Sequence, residues 1–137
     1  MKILADTNLF IKFCRRLPLP ATVETALLNP TTERYLSPAS VMELFRLWQK
    51  RNLPDNPDTW LDLALLSWNV LPITVPIARQ SILWPWEHRD PADRLLAGNG
   101  GHSRVGIVAH RYRLKKLTGF PARYFANLEN PPVQRPV

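Results

Sequence analysis

The chain has 137 residues with a single cysteine, Cys14, and a formal net charge of +7. This length fits one domain, and a lone cysteine excludes an internal disulfide scaffold, so we expect Cys14 to be a small core residue. No apolar run approaches the ~18 residues of a membrane span, and Asp6 ends the first apolar run too early for a signal peptide. We therefore expect a cytoplasmic protein whose excess of cations favours polyanions such as nucleic acid or an acidic protein, although solubility alone also explains the charge.

Short strands and helices alternate along the first half of the chain. KILA at 2–5 is an apolar run that predicts a buried strand, followed by a helix from about Thr7. The spacing at 21–29 predicts a second helix, and RYLS at 34–37 predicts a second strand. Because Asp6 follows the first strand directly, we expect it at the carboxyl edge of a parallel sheet, where ligand sites lie in such folds.

The helix that follows the second strand has the clearest signals. Ser37 is its predicted N-cap and Pro38 its first residue. Its apolar stripe consists of Val41, Leu44, Phe45 and Trp48. The remaining predicted elements are a helix at 58–68, a strand at 69–74 and a helix at 76–84. This alternation predicts an α/β fold with a parallel sheet covered by helices.

Four acidic residues stand apart from ordinary surface charge. Asp6 follows a strand, Glu43 lies beside the apolar helix stripe, and Asp90 and Asp93 are spaced to project from adjacent turns of one helix. A few carboxylates with water hold a hard cation such as Mg²⁺, which assists phosphodiester hydrolysis. Acids at strand and helix ends in a basic chain therefore suggest a metal-dependent nuclease.

Three of these acids also have a purely structural interpretation. Asp6 is a candidate N-cap for the helix after the first strand, and Asp90 is one for a helix that begins at Pro91. Asp93 is placed to pair with Arg89 or Arg94.

Three segments together resemble the PIN-domain proteins of the VapC toxin family: ILADTNLFIKF at 3–13, YLSPASVMELFRL at 35–47 and HRDPADRLLA at 88–97. The resemblance implies a three-layer α/β/α sandwich with a short central parallel sheet over residues 1–126, followed by a proline-rich tail at 127–137. It further implies a Mg²⁺- or Mn²⁺-dependent endoribonuclease, a cognate antitoxin as partner, and a homodimer.

Residue by residue, three acids match the metal-binding and catalytic carboxylates of the family. They are Asp6, Glu43 and Asp93, which in this mechanism hold the cation that activates water for attack on phosphorus. The other matching positions flank the site or support its ligands, and they are Asp90, Thr7 and Asn8. For the antitoxin, the apolar stripe of the third helix is a candidate docking groove, with burial in the protein's own core as the alternative.

The chain departs from the family at the fourth acid, because alignment on GIVAHRYRLKKL places Arg111 at that position. Four of the five glycines also fall between 98 and 106, and the predicted helix that begins at Pro91 meets Gly98, Gly100 and Gly101 where helix formers are expected. One hypothesis is that residues 98–113 are translated from a gene segment that is read one nucleotide out of frame. Standard codons can be chosen for these residues so that the shifted frame encodes ATAATRGLALSHTDTV, which has an aspartate at position 111. The alternative is a drifted sequence with an impaired site.

Overall fold

The computed structural model describes residues 1–83, 94, 95 and 98, and the backbone of 106–108. Its sheet has four parallel strands in the order β3-β2-β1-β4. The strands are β1 (Lys2–Ala5), β2 (Glu33–Leu36), β3 (Asn69–Val70) and β4 (Gly106–Val108). The predicted α/β fold with a short parallel sheet is confirmed, while the predicted boundary at 126 and the tail lie outside the described residues.

Helices connect the strands in the described part of the chain. They are α1 (Thr7–Cys14), α2 (Ala21–Leu28), α3 (Pro38–Gln49), α4 (Leu61–Leu65) and α5 (Val75–Leu83). The start of α3 is as predicted: the Ser37 hydroxyl accepts a hydrogen bond from the Ala39 backbone N–H at 3.2 Å, and Pro38 is the first helical residue. Among these described residues no helix combines the length and the apolar character needed to cross a membrane.

The region after α3 differs from its prediction. Instead of one helix over 58–68, a 3-10 turn at Pro57–Thr59 precedes the five-residue α4, because Trp60 between them has a non-helical φ of −137°. The chain then turns so that Trp68 enters the core, where its ring meets Phe10 edge-on at 5.0 Å. The predicted strand 69–74 is also shorter, because Pro72 has no N–H with which to extend the ladder.

The apolar stripe of α3 belongs to the protein's own core. Leu44 has no exposed surface, and Val41, Phe45 and Trp48 are partly buried against the same core cluster. Because β1 and the first turns of α1 supply other members of this cluster, the stripe holds α3 against the sheet. The expectation that the stripe forms a docking groove is therefore wrong, and the core alternative is correct.

Candidate metal centre

Asp6 lies directly after β1 and is only 5% exposed. Its Oδ1 accepts a hydrogen bond from the Leu9 backbone N–H at 2.8 Å, which makes it the N-cap of α1. The structural interpretation of this acid is thus confirmed. It does not compete with a ligand role, because the two oxygens of a carboxylate offer about four acceptor positions.

Glu43 reaches the same region from α3. The Thr7 hydroxyl, on the first residue of α1, donates a hydrogen bond to Glu43 Oε2 at 2.7 Å. Thr7 is 5% exposed and Glu43 is half-buried, so water screens this charge-assisted bond only in part. Since Thr7 directly follows Asp6 in the chain, the bond brings Glu43 to the start of α1 although 36 residues separate Thr7 from Glu43.

The register of the sheet shows that Asp6 lies at the carboxyl edge, where neighbouring parallel strands end together. Ala5, the last residue of β1, is paired with Leu36 at the end of β2 and with Val108 at the end of β4. Three parallel strands therefore end level with one another. Asp6 is the residue after β1, and Ser37 is the residue after β2. Both are buried, as expected for the crevice beyond the carboxyl ends of parallel strands.

The other predicted site residues divide into two groups. Asn8 is half-buried in the first turn of α1, next to Thr7. Asp90, Asp93 and Arg111 lie outside the described residues. Within the described ranges no three His, Cys, Asp or Glu side chains form a group able to hold a metal ion. The described part thus supplies two of the three predicted carboxylates, Asp6 and Glu43.

The donors that are present suit a hard divalent cation. Asp6 and Glu43 offer carboxylate oxygens alone, and Mg²⁺ and Mn²⁺ prefer oxygen over the nitrogen and sulfur donors that zinc favours. The Thr7 bond gives the Glu43 carboxylate a fixed orientation, as hydrogen-bonded ligands of metal sites usually have. The two described acids therefore fit the predicted Mg²⁺ or Mn²⁺ centre.

A second feature, which the sequence analysis missed, is a groove of about 880 Å³ between the end of α1, α2 and α4. Its apolar rim includes Leu17, Leu28 and Leu63, which are 47%, 60% and 74% exposed. Arg15, also at the groove, forms an ion pair with Asp55. Leucines exposed to this extent in one concave surface are typical of an interaction site. They could not be found by pattern alone, because three separate elements supply them.

Cys14 lines the same groove instead of lying wholly in the core. Burial raises the pKa of its thiol from 9.0 to about 11, and the nearby Arg34 guanidinium offsets only part of that rise. The thiol is therefore protonated and unreactive at neutral pH, which agrees with a packing role.

Comparison with known proteins gives two kinds of match. The family model described as the PIN domain matches residues 3–99. The fold is also similar to that of VapBC2 from Rickettsia felis bound to a DNA fragment from their promoter, with a TM-score of 0.66 at 15% identity over 88% of this chain and 96% of that chain. A comparison with curated protein sequences finds no significant match.

Two further solved structures have the same fold. DNA-bound VapBC from Salmonella typhimurium has a TM-score of 0.63 at 19% identity, over 88% of this chain and 95% of that chain. A toxin-antitoxin complex from Klebsiella pneumoniae has a TM-score of 0.59 at 18% identity, over 90% of this chain and 98% of that chain. At these identities the similarity is one of fold, and it agrees with the resemblance to VapC-like PIN proteins in the sequence.

Proposed function

Because the chain belongs to the PIN domain family, we propose that it is a metal-dependent endoribonuclease and the toxin of a toxin-antitoxin pair. The observation that carries this proposal is the bond from Thr7 to Glu43, which brings Glu43 to the start of α1, next in the chain to the buried Asp6 at the carboxyl edge of the sheet. Carboxylate oxygens at such a sheltered strand end are the donors that a hard divalent cation prefers. Their presence in a chain of net charge +7 favours a cation site beside a phosphate-binding surface.

Each residue then has a distinct task. Asp6, Glu43 and Asp93 would hold Mg²⁺ or Mn²⁺, which when bound supplies Lewis-acid polarisation of a phosphoryl oxygen and lowers the pKa of water. Asp6 is fixed by its cap on α1, and Thr7 orients Glu43 through its hydroxyl. Asp90 and Asn8 would support these ligands from neighbouring positions. RNA is the proposed substrate and the cytoplasm the proposed location.

Cleavage of an RNA pool by the purified protein tests the proposal. We expect hydrolysis with Mg²⁺ or Mn²⁺ and none with EDTA, and we expect Glu43→Gln to abolish it. Glu33→Gln is the matched control, because it makes the same change at an exposed residue of β2. The only ion pair that Glu33 forms within the described residues, with Lys2 at 3.9 Å, is also exposed, so its loss should cost little stability. Metal-independent cleavage, or full activity of Glu43→Gln, would refute the assignment.

A second candidate follows from Arg111, at the position of the family's fourth acid. A cation there would weaken metal binding and leave a PIN fold that binds RNA or an antitoxin without efficient cleavage. RNA retention without turnover at any metal concentration would favour this candidate, and Arg111→Asp should then raise cleavage. Resequencing the gene tests the frame-shift hypothesis, because codons at 98–113 that give no acid at position 111 in the shifted frame would end it.

For the partner, we place an antitoxin on the groove between α1, α2 and α4. Its exposed leucines suit an amphipathic segment that carries leucine-sized side chains. We expect Leu63→Asp to abolish complex formation with the product of a neighbouring small reading frame. Leu66→Asp is the matched control, because Leu66 directly follows α4, is 83% exposed and does not line the groove. Equal loss in both variants, or in neither, would contradict this placement. The homodimer remains a prediction.

A further inference from the structure

Ser40 is a buried polar residue in the first turn of α3 that the proposed reaction leaves without a task. It is 3% exposed, and its hydroxyl forms no hydrogen bond with any residue of the described part of the chain. The other buried serines there do form such bonds: the Ser37 hydroxyl accepts one from the Ala39 N–H, and the Ser81 hydroxyl donates one to the Ala78 carbonyl oxygen at 2.6 Å. Because a buried hydroxyl without a partner costs free energy, Ser40 is suited to bind a group from outside the protein.

The neighbours of Ser40 on α3 locate it beside the candidate metal centre. Glu43, three residues further on, is bonded to Thr7, and Leu44, four residues further on, is fully buried in the core. Residues three and four apart lie on one face of a helix, about 5–6 Å from each other at Cβ. Ser40 therefore lies on the face of α3 that packs toward the sheet and the start of α1. Since α3 begins at the carboxyl edge, directly after Ser37, Ser40 is one turn nearer to that edge than Glu43.

A hydroxyl in this position suits a hydration water of a divalent cation. Mg²⁺ gives up its waters reluctantly and is usually held by one or two carboxylates with several waters retained. A serine oxygen has two lone pairs with which to accept hydrogen bonds from such a water. We propose that Ser40 is a positioning residue of the metal centre, whose hydroxyl oxygen accepts a hydrogen bond from a hydration water of the cation that Glu43 binds. This inference rests on the proposed nuclease function, and Ser40 contacts neither the cation nor RNA directly.

The test measures Mn²⁺ binding without substrate, from the electron paramagnetic resonance signal of the free ion, in Ser40→Ala. This change keeps the side chain small and removes the hydroxyl, so we expect Mn²⁺ affinity to fall about 10-fold, as for residues that orient metal ligands. In EDTA the same variant should melt at or above the wild-type temperature, because it loses a buried hydroxyl without a protein partner and gains the best helix former. Ser81→Ala is the matched control for Mn²⁺ affinity, because Ser81 is 2% exposed on α5 and its hydroxyl is bonded within that helix.

A further variant separates loss of the hydroxyl from loss of helix stability. Ser40→Gly also lacks the hydroxyl but weakens the helix, so it should melt below Ser40→Ala and bind Mn²⁺ with the same reduced affinity. Unchanged Mn²⁺ affinity in Ser40→Ala would overturn the inference, as would weaker Mn²⁺ binding by Ser40→Gly than by Ser40→Ala. A lower melting temperature of Ser40→Ala in EDTA would also overturn it, because the hydroxyl would then stabilise the protein itself. Wild-type protein that bound no Mn²⁺ would instead overturn the proposed function.

Discussion

Asp6 combines a cap and a predicted metal ligand in one side chain, and two substitutions separate these roles. Asp6→Asn keeps an oxygen acceptor for the Leu9 N–H, which is bonded at 2.8 Å, whereas Asp6→Ala leaves that donor without a side-chain acceptor. Asparagine caps helices about as well as aspartate, and loss of a cap costs about 1 kcal/mol. For a domain of this size, that free energy corresponds to a difference of about 4 °C in melting temperature.

Thermal melts of the two variants and the wild type, in EDTA and in Mn²⁺, measure both roles. In EDTA we expect Asp6→Asn to melt near the wild-type temperature, because asparagine caps a helix about as well as aspartate, and Asp6→Ala to melt about 4 °C below Asp6→Asn. Mn²⁺ at 100 times its Kd should stabilise the wild type by about 2.7 kcal/mol and neither variant. Equal melting of the two variants in EDTA would refute the cap argument. A wild-type response of Asp6→Asn to Mn²⁺ would refute the ligand role.

Three further predictions concern other residues of the described structure. Thr7→Val removes the hydroxyl that orients Glu43 and should weaken Mn²⁺ binding about 10-fold, whereas Thr7→Ser should not; isothermal titration calorimetry of both variants checks this. Gly98→Ala adds a Cβ 3.1 Å from the Ile77 carbonyl oxygen, so the usual stabilisation of a helix by about 1 kcal/mol on replacing glycine with alanine should be absent. A melting temperature raised by about 4 °C, which corresponds to that free energy, would contradict the close packing and favour the shifted reading frame. Burial raises the pKa of Cys14 from 9.0 to about 11, so iodoacetamide should react slowly with this thiol below pH 9. The stability that the protonated thiol contributes should fall as pH rises from 9 toward 11, and denaturant titrations of Cys14→Ser should lack this fall.

Elements with strong local signals could be predicted from the sequence. KILA forms β1 over the predicted residues, and Ser37 and Pro38 start α3 as their cap preferences indicate. The position of Asp6 beyond β1 was equally predictable, because an acid that ends an apolar run has no place inside a buried strand. These features depend on chain neighbours, so a single sequence contains the information that specifies them.

Contacts between residues far apart in the chain were decided by the tertiary structure alone. The helix predicted over 58–68 is interrupted at Trp60, and beyond its end Trp68 packs on Phe10, a contact that no local pattern reveals. The bond between Thr7 and Glu43 depends on how α1 and α3 pack over the sheet. The same is true of the bonds from Arg94 to the end of α5, since the sequence alone offers Arg94 as an ion-pair partner of Asp93. Sequence supplied the types of these side chains, and packing determined their partners, because a hydrogen bond forms only where the backbone brings donor and acceptor within about 3 Å of each other.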